Sequence, residues 1–511
     1  MKNIFKAVVL TMVGFCTLMT SCDDFLDVTS ETEFTETDLF SDESGYRNAL
    51  VGSYLLMGDQ RLYGAYLTWM VPDLLAQQYS NRDGSGTYIK IQNVNYTESP
   101  LATLTPAIWT AGYNLIANLN NIITHEAENG KVMTALEDSL VMGECYGLRA
   151  YMHFDLLRMY GKGNIAARGI AGETSLPYVK TFSKLVTPSS TYTEYINYLL
   201  EDLDKSIALL ACDPILGKRD SSYYRPIAHN GFVETNPAER KTRMNYYAAK
   251  ALKARVLMWQ GTEAARQEAA QLALDVINSS LATGITKWTE ESNMLGSGAN
   301  TNDNSFYNEH IFSLYIENYA TLKSQLAVFH ISQISTWDEI YLDGARVKKV
   351  YETDTYGQSD WRVTKDLEQT YANMDRFAIN KNRLGALIGV NNYTARVPLI
   401  RLSEMCYIAA EVLADSNPRQ AVSLLNTVRN HRNLGPEFNL SNDLSPAEIK
   451  AEIKKEYLKE FLSEGQLFYY YKRLGDTDIV DWVGAPWTDD QFVFPMPESE
   501  LTNGGRQQLT Y

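Results

Sequence analysis

Cysteine and histidine are scarce in this chain, at 5 and 6 of 511 residues. Beyond residue 22 only Cys145, Cys212 and Cys406 remain, widely spaced within apolar helical patterns. That spacing excludes a disulfide framework and reads the three as small core residues. The histidines at 125, 153, 229, 310, 330 and 431 show no metal-ligand spacing, and neither His-Glu-x-x-His nor Cys-x-x-Cys occurs. No metal or cofactor is therefore expected. Positive charge is short as well. Lys and Arg number 46 against 62 Asp and Glu, a net charge of −16, which excludes a broad nucleic-acid-binding surface. A phosphate-cradling Gly-x-x-x-x-Gly-Lys-[Ser/Thr] loop and a Gly-x-Ser-x-Gly nucleophile elbow are both missing.

Aromatic residues, by contrast, are plentiful: 33 Tyr, 17 Phe and 8 Trp. Tyr and Trp combine a flat apolar face with a polar edge. An interior calls for more Phe than this ratio supplies, so some of the rings are expected on a binding surface.

The start of the chain reads as an address. Lys2 and Lys6 form a basic region before an apolar run from Ala7 to Met19. A membrane-crossing helix needs about 20 apolar residues, so this run is too short to span and fits a secretory signal over residues 1–21. Leu18-Met19-Thr20-Ser21-Cys22 is similar to the lipobox of bacterial lipoproteins. Cleavage before Cys22, with acylation of its thiol and amine, would give the two or more chains that stable anchoring requires.

Length alone would allow about three domains. The patterns after residue 22 instead read as one, residues 22–511, in which helical blocks at about 105–281 and 398–465 flank a different kind of segment. A helix is expected near Ser44–Leu56, followed by a Tyr-, Asn- and Gly-rich loop around Tyr79, Asn81 and Tyr88. Helical periodicity over 105–161 stops at Gly161, and Tyr192–Leu210 is amphipathic. Met244–Gly261 with Glu263–Asn278, and Leu402–Asp415 with Arg419–Asn430, repeat one helix–turn–helix pattern. Ala254 and Ala269 in the first pair, and Ala410 and Ala421 in the second, stand where two helices cross closely. These units look tetratricopeptide-like, and 137–160 with 191–212 could supply a looser third. A last helix starts at the Ser445-Pro446-Ala447-Glu448 capping box and is expected to run to about Glu464.

Between the repeats, residues 283–397 change character, with short apolar runs separated by Gly, Asn, Ser and Asp. Twelve aromatic residues lie between Trp288 and Trp361. Insertions in helical-repeat proteins gather on one face, often the binding face. From composition, the candidate ligand residues are Tyr79, Asn81, Tyr88, Trp288, Tyr315, Trp337, Tyr341 and Trp361.

These segments together resemble the SusD/RagB family of surface nutrient-binding lipoproteins. Cys22-Asp23-Asp24-Phe25-Leu26-Asp27 looks like the family's lipidated start. The stretch from Arg149-Ala150-Tyr151-Met152-His153-Phe154 to Tyr160-Gly161 is similar to its most recognisable helix. Leu425-Asn426-Thr427-Val428-Arg429 with Gly435, then Glu456, Glu460, Glu464-Gly465 and Lys472-Arg473, follow its second repeat helix and late acidic helix. Phe494-Pro495-Met496-Pro497 matches its closing turn. Leu467 and Tyr470 stand where the family usually has Arg and Asp. The resemblance implies a mainly α, SusD-like scaffold in the outer membrane, anchored by lipid at Cys22 and facing the cell exterior. It also implies a SusC-like TonB-dependent transporter as partner, which the body would cap as a lid.

Two ligand classes fit the aromatic block. Flat rings can stack on the C–H face of an oligosaccharide while Asn, Asp and Arg bind its hydroxyls; the same surface can cradle an extended peptide. A surface-anchored hydrolase is a further reading. Asp338-Glu339 and Asp354 or Asp360 lie among the aromatics, but a carboxylate pair is defined by separation in space, which sequence does not give. No catalytic residue is assigned. Asp303, between Asn302 and Asn304, lacks an EF-hand pattern and is expected to be solvated rather than calcium-bound.

Overall fold

Side-chain caps set where the main helices begin. In the computed structural model, described here for residues 36–80, 86–129, 132–220, 223–224, 239–294, 303–316, 340–370, 373–379, 381, 396–482 and 484–511, helices predominate. The described residues up to Tyr46 belong to a small unit of their own, in which the Phe40 and Tyr46 rings meet edge to face at 4.9 Å. Residues from Arg47 onward form the second unit. Helix α1 is Glu43–Met57, close to its expected span.

The periodic stretch over 105–161 is two long helices, α2 (Leu101–Asn129) and α3 (Ala135–Tyr160). Thr134 caps α3 by accepting the Glu137 N–H, and Gly161 closes it. A Cβ at Gly161 would lie 2.8 Å from the Leu157 carbonyl oxygen. Helix α4 (Tyr192–Leu209) starts at a capping box in which Thr191 and Glu194 satisfy one another's backbone N–H groups. Helices α5 (Tyr246–Gln260) and α6 (Glu263–Ala282) are joined at Gly261, whose φ of +76° is a left-handed conformation that favours glycine.

The later block begins with strand β1 (His310–Tyr315), followed by β2 (Leu342–Asp343) and helix α7 (Gly344–Tyr351). Strands β3 (Leu367–Thr370), β4 (Asn373–Ile379) and β5 (Arg396–Arg401) come next. β1 pairs antiparallel with β5, setting Tyr315 opposite Arg396, while β4 lies between β2 and β3 in a second small sheet. Thus the described part of the irregular block contains short strands. At two to seven residues they carry too few alternations to announce themselves.

Helix α8 (Leu402–Ser416) follows β5 directly, then α9 (Pro418–Asn430), α10 (Pro446–Glu460) and α11 (Leu467–Leu474). Packing runs in order, α2 on α3, α3 on α4, α4 on α5, α5 on α6, α6 on α8 and α8 on both α9 and α10. Ala254, Ala269, Ala410 and Ala421 are all fully buried, as the close-crossing reading expects. The expected capping box at Ser445 and Glu448 is formed.

Helix α10 stops at Glu460, a turn short of the expected end. The Glu460 carbonyl accepts hydrogen bonds from Arg401 Nη2 at 2.8 Å and Lys381 Nζ at 2.7 Å, outside the helix. The chain then passes through left-handed Ser463 and Gly465, at φ +67° and +70°. Of the cysteines, Cys145 and Cys406 are buried as expected, whereas Cys212 is only half-buried. Among the described residues, no helix is long and apolar enough to cross a membrane.

Candidate functional site

Two segments about 260 positions apart, both singled out by composition, come together. The Ser80 N–H donates to the Tyr341 carbonyl at 2.9 Å, and the Asp343 N–H donates to Ser80 Oγ at 3.1 Å. Ser80, next to Tyr79, is thereby fixed to the aromatic block at the start of β2. Tyr79 is held from below: its hydroxyl donates to Asp73 Oδ2 and contacts Ser463 Oγ, each at 3.0 Å. The Gly465 N–H donates to Asp73 Oδ1 at 2.9 Å. A Cβ at Gly465 would lie 2.5 Å from the Leu67 carbonyl, so only glycine lets this turn approach so closely. Burial pushes the Asp73 carboxyl up to about 8, against the hydrogen bonds that favour its charged form.

The candidate rings divide by burial. Tyr79, Tyr341 and Trp361 are buried. Trp361 packs with Met294 and Phe306, and the Arg376 guanidinium lies 4.6 Å from the centre of the Tyr341 ring. These three serve the interior under the site, so they offer no open face for stacking. Tyr88 is half-buried, edge-on to Trp69 at 6.2 Å. Trp288 is half-buried and stacks on His431 at 4.8 Å and 5°. Tyr315, at the end of β1, is 47% exposed. Asn81 and Trp337 lie outside the described residues.

Beneath this region lies a knot of buried charge. Glu456 and Glu460 stand one turn apart on α10 and share a face. Arg362 Nη1 donates to Glu456 at 2.7 Å, and Arg429 Nη1 to the other oxygen of that carboxylate at 3.0 Å. Glu460 receives Arg401 at 2.6 Å and Arg362 at 3.2 Å, together with Arg432. Arg432 also pairs with Glu309 at 2.7 Å, and Arg401 Nε with Glu464 at 2.9 Å. Burial alone would raise the Glu460 carboxyl, but Arg432, Arg401 and Arg362 hold it well below the usual carboxylate range. The Glu456 carboxyl is likewise held down, to about 2, by Arg362, Lys459 and Arg429 against its burial. The knot ties Glu309, just before β1, to β5, α9 and α10, and the Trp361 backbone N–H donates to the Arg432 carbonyl at 3.0 Å. It forms without Leu467 and Tyr470, which pack instead as buried side chains; Tyr470 stacks on Tyr457 at 4.1 Å.

The other polar candidates are committed to structure. His153 is buried, its Nδ1–H donating to the Arg149 carbonyl and its Nε2 accepting the Val179 N–H. Asp303 is buried rather than solvated, because its oxygens accept from the Ser305 and Tyr307 N–H groups and the Ser305 hydroxyl. Asp360 is buried against Arg362 at 2.7 Å, and exposed Asp354 pairs with Lys348 at 2.6 Å. Asp338 and Glu339 lie outside the described residues. Among the described residues there is no grouping of three or more His, Cys, Asp or Glu that could hold a metal ion. One surface feature escaped the sequence reading: Phe182, Leu185 and Val186 are 49%, 83% and 64% exposed. Large apolar residues among Thr, Ser and Lys, with neither helical nor strand period, were the available signal.

Residues 24–226 match a SusD-like family described as starch-binding and associating with the outer membrane, and residues 285–483 match the SusD family. None of the curated proteins matches the chain. Among solved structures, it is similar to a SusD superfamily protein from Bacteroides thetaiotaomicron, with 20% identity and a TM-score of 0.69 over 92% of this chain and 100% of that one. A SusD superfamily protein from Bacteroides vulgatus gives the same identity and TM-score over 92% and 99%. A SusD-like carbohydrate binding protein from Bacteroides vulgatus gives 14% and 0.65 over 90% and 96%.

Proposed function

This chain belongs to the SusD/RagB family, and from that premise we propose that it is a cell-surface lipoprotein that captures oligosaccharides and delivers them to a SusC-like TonB-dependent transporter. The observation that carries the ligand reading is that Tyr315 is exposed and Trp288 and Tyr88 are half-buried, which leaves ring surface open to a ligand in the two segments that Ser80 joins at Tyr341. A platform of this kind suits saccharides, since rings cover C–H faces while amides and guanidinium groups take the hydroxyls. The matched family described as starch-binding and the carbohydrate-binding relative point the same way. Lipid at Cys22 would tether the body at the outer membrane, where it caps the transporter as a lid.

Peptides are the alternative ligand for the same role, and calorimetry with neutral oligosaccharides beside a mixed-peptide pull-down decides between them. Saccharide binding that weakens on Tyr315→Ala or Trp288→Ala supports the proposal; capture of peptides alone overturns the ligand assignment. The hydrolase reading predicts turnover of the same compounds. For the partner, detergent extraction and pull-down should recover a large barrel protein in roughly equal amount, and recovery of this chain alone counts against the lid role.

A further inference from the structure

Away from the aromatic block, a cleft of about 760 Å³ opens between the segment after α3 and the end of the chain. Glu173, Thr174 and Ser175 line one side, Val186, Pro188 and Ser189 another, and Gly504 to Thr510 a third, with Lys162 also lining it. Its volume lies within the range of about 300–1,000 Å³ typical of ligand sites. None of its lining residues comes from residues 283–397, and no aromatic ring is among them.

The walls are preformed. Arg506 clamps two of them together: its Nε donates to Glu500 at 2.7 Å, Nη1 to Ser189 Oγ at 3.1 Å and Nη2 to the Thr187 carbonyl at 2.9 Å. The Ser175 N–H donates to the Ser190 carbonyl at 2.7 Å, and the Tyr192 N–H to the Glu173 carbonyl at 3.0 Å. Lys162 Nζ meets Glu173 Oε2 at 2.8 Å, so the clearest charges in the cleft occur as a pair. Thr174, Gln507 and Thr510 are exposed at its edges. The Thr174 and Thr510 hydroxyls and the Gln507 carboxamide supply both donors and acceptors beside a charge pair, while Val186, Pro188 and Leu509 supply modest apolar cover. An anionic ligand is disfavoured, because both cations are already neutralised by Glu173 and Glu500 and the whole chain carries −16. Without a ring or deep apolar pocket, the cleft is also poorly suited to peptide side chains.

We propose that this cleft is a second binding site, for a neutral oligosaccharide, distinct from the aromatic block. It rests on the saccharide reading of the protein. Two sites on one chain would hold separate stretches of a glycan, raising the effective concentration of each for the other.

The two sites have different signatures. Trp109 Nε1 donates to Glu500, the carboxylate that Arg506 holds, so the fluorescence arm is run with Trp109→Phe; in that background binding at the aromatic block perturbs the remaining tryptophans, whereas occupation of the cleft appears only as heat. The probes are neutral malto-, cello-, xylo- and manno-hexaose, titrated into the full mature protein. A stoichiometry of two by calorimetry, falling to one in Thr174→Leu/Gln507→Leu with the fluorescence response retained, is the expected result. Gln507→Ala alone should weaken the silent site by about 2- to 13-fold, the value of one neutral hydrogen bond. Thr174 and Gln507 are exposed, and circular dichroism should confirm that the variants keep their fold. One fluorescent site in both wild type and double variant overturns the second site while the saccharide reading stands. No binding of any probe, by heat or fluorescence, overturns both.

Discussion

Glu460→Gln should be among the most destabilising isosteric changes in this protein. The side chain is fully buried and faces Arg362, Arg401 and Arg432. Glutamine keeps the volume but removes the charge and turns an N–H₂ toward guanidinium donors. Breaking a buried ion pair by removing one partner costs about 3–5 kcal/mol, since it leaves charge uncompensated in a medium that solvates it poorly. Here Arg432 keeps Glu309, Arg401 keeps Glu464 and Arg362 keeps Asp360 and Glu456, so the lower end of that range, about 3 kcal/mol, is expected. Glu456→Gln should cost more, because Glu456 is the carboxylate paired with Arg429. The assay is urea unfolding followed by circular dichroism, with the midpoint compared at constant slope. Lys205→Ala, which breaks an exposed pair with Glu201, serves as control and should cost well under 1 kcal/mol.

The same knot fixes a pH dependence. A carboxyl held below its unfolded value contributes stability that is fully present above that value and is lost as pH falls through the folded one. With Glu456 held to about 2 and Glu460 also depressed, wild-type stability should drop between about pH 4.5 and 2, and Glu460→Gln should flatten part of that drop. If Glu460→Gln costs no more than Lys205→Ala and leaves the acid limb unchanged, the knot does not hold these elements together.

Three further outcomes are expected. Trp361→Ala should cost about 3–5 kcal/mol through the cavity left beside Met294 and Phe306, whereas Tyr315→Ala should leave unfolding nearly unchanged and weaken saccharide binding by about 2- to 13-fold; the opposite pattern would exchange their roles. Asp73, whose buried carboxyl is pushed up to about 8, favours the folded state when protonated, so wild-type stability should decline as pH rises from about 4 to 8, and Asp73→Asn should remove that slope; parallel pH profiles would refute the assignment. Cys22→Ala should abolish palmitate labelling of the chain, and equal labelling of wild type and variant would remove the anchor from the proposal.

The helical frame was legible because its signals are local. Periodicity, the Ser445–Glu448 capping box, Gly161 and Gly261 act within a few residues of where they stand, and the four alanines mark crossings by their size alone. Local rules failed where distant groups intervened: α10 ends early because Arg401 and Lys381 capture its last carbonyl. The acidic positions of α10 could be read from the chain, but their four arginine partners come from three other stretches, and nothing local says that these will converge.

The same limit governed the candidate site. Composition drew attention to the Tyr79 loop and the aromatic block, and it counted Tyr79, Tyr341 and Trp361 with Tyr315 because a ring has the same letter buried or exposed. Which ring fills the interior depends on what packs over it, as Phe306 and Met294 do for Trp361. The joining of Ser80 to Tyr341, and a cleft whose sides lie more than 300 residues apart and are clamped by Arg506, involve groups distant in sequence that tertiary packing alone brings within hydrogen-bond reach. Helix positions were set by the sequence through short-range chemistry; exposure and convergence were decided by the fold, because both are relations between residues that the chain itself keeps apart.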